Sequence, residues 1–231
     1  MKLDKTLIVT EALALLNQVG IDALSTRLLA ERLKVQQPAL YWHFKNKRAL
    51  LDAMNDEMLR RGHRHRAPQA GESWQDFVRN NARSFRGALV AWRDGARVHA
   101  GTEANPDSLE RFEAMLRFLV GHGMLAQNAM QLLLAVGRYT VGCVLEEQAD
   151  APEGPGRGAE LDAAAQAYPL LSAAILAYRA GGHEAQFESG LALLVAGAEA
   201  RLIGTSGAEK GRSAKVSEPD AEPVRQWQLP L

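Results

Sequence analysis

A single cysteine, Cys143, in 231 residues leaves no partner for an internal disulfide. The chain is therefore no disulfide-stapled scaffold, and nothing points to an oxidising compartment. No run of about 18 apolar residues occurs, so no membrane span is expected. The opening stretch MKLDKTLIVTEALALLNQVG is broken by Asp4, Lys5, Glu11, Asn17 and Gln18, which argues against a signal peptide. Excess charge is missing too, since 27 Lys and Arg balance 27 Asp and Glu. That balance excludes a disordered polyelectrolyte and a chain that holds nucleic acid through bulk positive charge. A soluble cytoplasmic protein is expected, with 47% hydrophobic residues and enough length for one large domain or two smaller ones.

The balance is uneven along the chain. Residues 1–66 hold twelve Lys and Arg against seven Asp and Glu, whereas 67–231 hold fifteen against twenty, so a net +5 precedes a net −5. His43, His63 and His65 lie in the basic part. Such asymmetry fits a basic head that meets an anionic polymer, and equally an ordinary solvated surface.

Nearly every patterned stretch carries the helical period, and no alternating strand bounded by hairpin turns appears. Ile8, Ala12, Leu15, Leu16 and Val19 share one face of a helix stopping at Gly20. Ser25 or Thr26 caps a short helix with Leu29, Ala30 and Leu33 inward. Gln36-Gln37-Pro38 opens another, and a longer helix runs from about Lys47 to His63 with Leu50, Leu51, Met54 and Met58 inward. Ser73, three residues before Asp76, caps the next, and Asp94-Gly95 breaks it. Further helices are predicted over about 106–122, 126–148, 169–180 and 183–203. The Pro/Gly-rich 150–160 stretch reads as a mobile crossover and 204–231 as a disordered tail. The fold class is all-α.

Three short helices with tight turns within the first 45 residues fit helix-turn-helix geometry. In QQPALYWHFKNK (36–47), Leu40 and Phe44 share an inward face, while Pro38, Tyr41 and Trp42 turn away with Gln37 at the edge. Adjacent Tyr and Trp with polar tips are typical of contact surfaces. Gln37 can pair bidentately with adenine, Pro38 can touch a thymine methyl, and Arg27 can reach a guanine O6/N7 edge. Lys45, Lys47, His43 and the Tyr41 hydroxyl suit phosphate oxygens. An aromatic cluster packed under the next helix would account for Phe44 and part of Trp42, but not for Gln37.

STRLLAERLKVQQPALYWHFKNKRALLDAM closely resembles the DNA-binding head of tetracycline-repressor-type regulators, the TetR family. The resemblance continues through GESWQDFVRNNARSF, RDGARVHAGT and VGCVLEEQ, over roughly residues 3–203. It implies base contacts by Arg27, Gln37, Pro38 and Tyr41, with phosphate or supporting contacts by Thr26, Trp42, His43 and Lys47. Ala39 stands where many members have threonine. Lys34 occupies a turn position that is often glycine, at a cost of roughly 1 kcal/mol in a left-handed turn.

The body shows no GxSxG, no HExxH, no phosphate-cradling glycine loop and no zinc spacing, so an enzyme is not expected. Glu146 and Glu147, adjacent on a helix, face about 100° apart and read as a solvated helix end. Small residues at Gly190 and Gly197, on one stripe with Leu194, and at Gly137 and Gly142 allow close helix packing, either within the chain or across a dimer. The resemblance implies a four-helix homodimer interface, two heads on a palindromic operator, and control of a drug efflux gene. It also implies a pocket for a magnesium–tetracycline complex at His63, Asn81, Phe85, Thr102 and the 115 position. There His99 is a ligand of Mg²⁺ and Glu146, from the partner subunit, holds a coordinated water. Glu103, Ala104 and Met115 depart from the usual Arg, Pro and Gln.

The resulting organisation is a DNA-binding head (1–46), a connecting helix (47–66), a ligand-binding and dimerising body (67–203) and the tail (204–231). Rival readings are a regulator of the same build sensing another molecule, and a helical carrier or enzyme with an incidental basic head.

Overall fold

The computed structural model describes residues 3–102, 106–149 and 163–200, and these contain helices and no strand. The 150–160 crossover, the 204–231 tail, Glu103 and Ala104 lie outside the described residues. The all-α class follows from the sequence periodicity: each apolar stripe becomes a helix whose buried side faces a neighbour.

The head consists of α1 (Lys5–Ala23), α2 (Thr26–Leu33) and α3 (Gln37–Tyr41). Asp4 caps α1 by accepting from Leu7 N at 2.8 Å, and Gly20, at φ 77°, interrupts it. By length and composition α1 could cross a bilayer. Its Ile8, Ala12, Leu13 and Leu16 are instead fully buried in the head core. Ser25, rather than Thr26, caps α2, accepting from Leu28 N at 3.2 Å. Lys34 closes α2 in the left-handed conformation at φ 56°, the turn foreseen for this non-glycine position. Leu33 and Leu51 are half-buried and pack against this core from its edge, the inward side expected of them.

Helix α4 (Lys47–Gly62) leaves the head, with Asn46 as its cap. Met54 and Met58 are fully buried, and the helix packs against α1, α5 (Trp74–Val90) and α6 (Gly95–Ala100). Head and body therefore share one continuous apolar cluster from Ile8 through Met58 to Phe85 and Val144. Gly62 permits the close approach at the end of α4, since an added Cβ would lie 2.7 Å from Ala88 Cα on α5.

A second cluster, centred on Phe77, Leu119, Phe187 and Leu191, is built by α5, α7 (Pro106–Gly121), α8 (Ala126–Ala149) and α10 (Gly182–Ala198). Part of the small-residue stripe works inside the chain. Gly190 makes room for Tyr139, whose hydroxyl donates to the Phe187 carbonyl at 3.0 Å. Gly142 and Gly197 face open space. Helix α9 (Pro169–Ala180) has no buried residue. Glu147 is no solvated helix end: it accepts from Arg86 Nη2 at 2.7 Å, while Arg86 Nη1 reaches Glu184 at 2.6 Å. This buried guanidinium joins α5, α8 and α10.

Candidate DNA interface and effector pocket

On the head, Leu40 and Phe44 are buried, so the rest of α3 turns outward. Tyr41 is 48% exposed and Trp42 90% exposed, while Pro38 is exposed at the start of α3. Gln37 is half-buried; its Nε2 donates to Thr26 Oγ1 at 2.8 Å and lies 3.4 Å from the Tyr41 hydroxyl. Thr26 thus buttresses Gln37 across the α2–α3 turn. Arg27 is free to reach outward, tied only loosely to Glu31 at 3.8 Å. His43 lines an open groove of about 600 Å³ together with Lys5, Phe44, Lys45 and Arg60. Lys47 differs from its expected phosphate role in having an internal partner: Nζ donates to the Leu24 carbonyl at 2.6 Å. That bond ties the start of α4 to the α1–α2 junction and leaves the ammonium two further protons.

In the body, four elements bring the expected pocket residues together. His63 follows the last turn of α4, Asn81 and Phe85 lie on α5, His99 on α6 with Thr102 beyond it, and Met115 on α7. Phe85 is the hub. Its ring lies 5.6 Å from that of His63, and 5.0 Å from that of His99 in an edge-on arrangement. Asn81 Nδ2 donates to the His65 carbonyl at 2.8 Å and sits 3.8 Å from Met115 Sδ. Thr102 Oγ1 donates to the His99 carbonyl at 2.7 Å, closing the end of α6. Glu146 is exposed on α8.

The hydrogen bonds constrain what each ring can do. Ser84 Oγ accepts from His65 N at 3.0 Å and lies 3.0 Å from His63 Nδ1. Ser84 Oγ keeps one proton and one lone pair beyond the bond from His65 N, so it can pair with either tautomer of His63. His99 Nδ1 lies 3.0 Å from Asn55 Oδ1, and His99 Nε2 is buried with no hydrogen-bond partner. Sequence reading missed Asn55, Ser84 and Arg86. Asn55 had a signal: it stands four after Leu51 and three before Met58, a polar residue on an apolar stripe.

Burial, with a smaller push from Arg66, lowers His63 to about 3, and burial alone lowers His99 to about 4. Both imidazoles are neutral at neutral pH, suited to donate lone pairs or neutral N–H groups. In the unfolded chain each takes up a proton near pH 6.5, so stability is full above that pH and falls as pH drops towards 4. At pH 5 the loss is about 2 kcal/mol per imidazole. Glu57, held at about 2 chiefly by its bond with Arg60, loses its contribution as pH falls from about 4.5, so it adds little at pH 5. Urea unfolding at pH 7.5 and pH 5 checks this, with His99→Gln and His63→Gln each expected to flatten the decline. Equal stability at both pH values would contradict it.

Among the described residues no cluster of three His, Cys, Asp or Glu side chains is arranged to hold a metal. A cation here would rest on one imidazole, water and the oxygens of its own ligand, an arrangement Mg²⁺ tolerates.

The chain resembles known proteins over nearly its whole described length. Residues 8–54 match the model for bacterial regulatory proteins of the tetR family, and 67–202 match the tetracyclin repressor-like C-terminal domain. It is 51% identical over 203 residues to the class A tetracycline repressor protein from transposon 1721 of Escherichia coli, covering 87% of this chain and 94% of that one. A solved TetR from Acinetobacter baumannii AYE is 46% identical with a TM-score of 0.72, covering 86% of this chain and 98% of that one. A class A TetR solved with 5a,6-anhydrotetracycline and magnesium is 43% identical with a TM-score of 0.67, covering 86% and 99%. These relatives are repressors rather than enzymes. With matches to both the head and the body and 51% identity over 203 residues to a curated relative, the chain belongs to the TetR family of bacterial regulatory proteins.

Proposed function

We propose that the protein is a transcriptional repressor that binds a palindromic operator as a homodimer and is released by a magnesium–tetracycline complex, so controlling a tetracycline efflux gene. In this reading 1–46 reads DNA, 47–66 transmits, and 67–203 binds the effector and dimerises. Arg27, Gln37, Pro38 and Tyr41 meet base edges, while Thr26, Trp42, His43 and Lys47 support or meet the backbone. Dimerisation places two heads on successive half-sites about one helical turn apart. Leu170, Leu171, Leu176 and Tyr178 of α9, all more than half exposed, form the apolar face that a second copy would cover.

The observation that carries the effector assignment is the bare, buried Nε2 of neutral His99 beside Phe85. His99 would hold Mg²⁺ through Nε2, and Glu146 of the partner subunit would hold a water on it. Bound there, the cation supplies a hard, positive anchor for the drug's oxygens. His63 and Asn81 offer hydrogen bonds, and Phe85 lies along the rings. Effector binding favours a conformation in which α4 is tilted and the heads no longer match both half-sites.

A specific observation favours a second reading, a repressor of the same build for a different effector. Met115 presents a thioether, not an amide, to Asn81, so the polar end of the pocket differs from the family pattern. A gel shift on a tetracycline-operator palindrome, titrated with tetracycline with and without Mg²⁺, tests both. The expected result is a shifted band that tetracycline plus Mg²⁺ removes and chelation restores. No shift would sink the repressor reading, whereas a shift resistant to tetracycline would sink the effector alone.

A further inference from the structure

Asn55 is a polar side chain where the core of α4 is otherwise Leu50, Met54 and Met58, and it is only 3% exposed. Its Oδ1 lies 3.0 Å from His99 Nδ1. A carboxamide oxygen only accepts, so the ring nitrogen facing it must carry the proton. The other nitrogen, Nε2, is then a bare lone pair, and it is the one that is buried without a partner. Phe85, edge-on at 5.0 Å, holds the plane of the ring. Such an arrangement is unrewarding for a merely structural pair, which would satisfy both ring nitrogens.

We propose that Asn55 is a positioning residue of the effector site: its carboxamide oxygen holds His99 in the Nδ1–H tautomer, so that Nε2 is presented as a cation ligand, and it ties that ring to the helix bearing the DNA-reading head. The inference rests on the effector reading above for its consequence, but not for the tautomer. A hydrogen bond on the far nitrogen orients a ligating imidazole and raises its basicity. It also gives a physical link. A cation on Nε2 draws electron density from the ring and makes Nδ1–H a stronger donor, so the grip on α4 tightens when the site fills.

The test begins with ¹⁵N NMR of the His99 ring in the ligand-free, full-length protein. The expected result is a protonated Nδ1 and an unprotonated Nε2. Asn55→Leu keeps the branched shape and removes the acceptor, so the reversed tautomer should appear. The Mg²⁺ concentration needed to develop tetracycline fluorescence should rise about tenfold or more, and Asn55→Asp, which keeps an acceptor oxygen, should restore the Nδ1–H form. An Nε2–H ring in the unsubstituted protein would overturn the proposal without any variant, as would identical ring signals with and without Asn55. Failure of the unsubstituted protein to bind tetracycline with Mg²⁺ would instead overturn the effector reading, while the ring signals would still decide the role of Asn55.

Discussion

Gln37→Ala combined with Tyr41→Ala should lower operator affinity by about a thousandfold or more while leaving binding to unrelated DNA nearly unchanged. A well-placed base contact is worth about 1–3 kcal/mol of discrimination, and a dimer presents each one twice. The loss should be specific because neither side chain carries charge. Non-specific affinity comes from Lys and Arg against phosphates, so the salt dependence should keep its slope. The fold should survive as well. Gln37 and Tyr41 lie outside the head core, which Leu40 and Phe44 enter at 3% and 8% exposure. Fluorescence anisotropy on the operator and on a scrambled duplex, with circular dichroism as the folding control, makes the measurement. Retained operator affinity, or an equal loss on both duplexes, would contradict α3 as the reading element. Loss of the Gln37 bond to Thr26 frees a half-buried hydroxyl at the start of α2, so its cost to stability is about 1 kcal/mol.

His99→Ala should weaken Mg²⁺-dependent tetracycline binding by about a hundredfold or more, since it removes the one nitrogen ligand of the proposed site; even partners outside the coordination shell are worth 10–100-fold. Operator binding in the absence of drug should persist, giving a repressor that no longer lets go. The same substitution strands Asn55, which is 3% exposed and loses its bonded partner. An unsatisfied buried amide costs about 1–3 kcal/mol, so the melting temperature should fall, but by less than the effector loss would suggest. Fluorescence titration of tetracycline at fixed Mg²⁺ reports the binding, and a gel shift reports retained repression. Unimpaired Mg²⁺-dependent binding would remove His99 from the metal site.

The head was readable to a fine level. Ser25 caps α2, Lys34 takes the left-handed turn, and Leu40 and Phe44 point inward while Tyr41 and Trp42 do not. All of these depend on neighbours within four residues, where helical spacing and cap chemistry are local rules. The pocket was readable only through resemblance. His63, Phe85 and His99 come from three helices, and no spacing rule brings their rings within 6 Å.

Local pattern alone was sufficient for the all-α class, the order of the helices apart from the short α6, which it did not mark, the split of charge into +5 and −5 parts, and the outward face of α3. Packing between distant segments set the rest. Asn55 meets His99 across 44 residues, Arg86 meets Glu147 and Glu184 across 61 and 98, and Tyr139 fits over Gly190 on another helix. The reason is physical. A stripe of apolar residues says which side of a helix is buried, but the axial shift and rotation of one helix on another follow from ridges meeting grooves over the whole interface. A displacement of one turn, about 5.4 Å, would leave every stripe intact and separate Asn55 from His99.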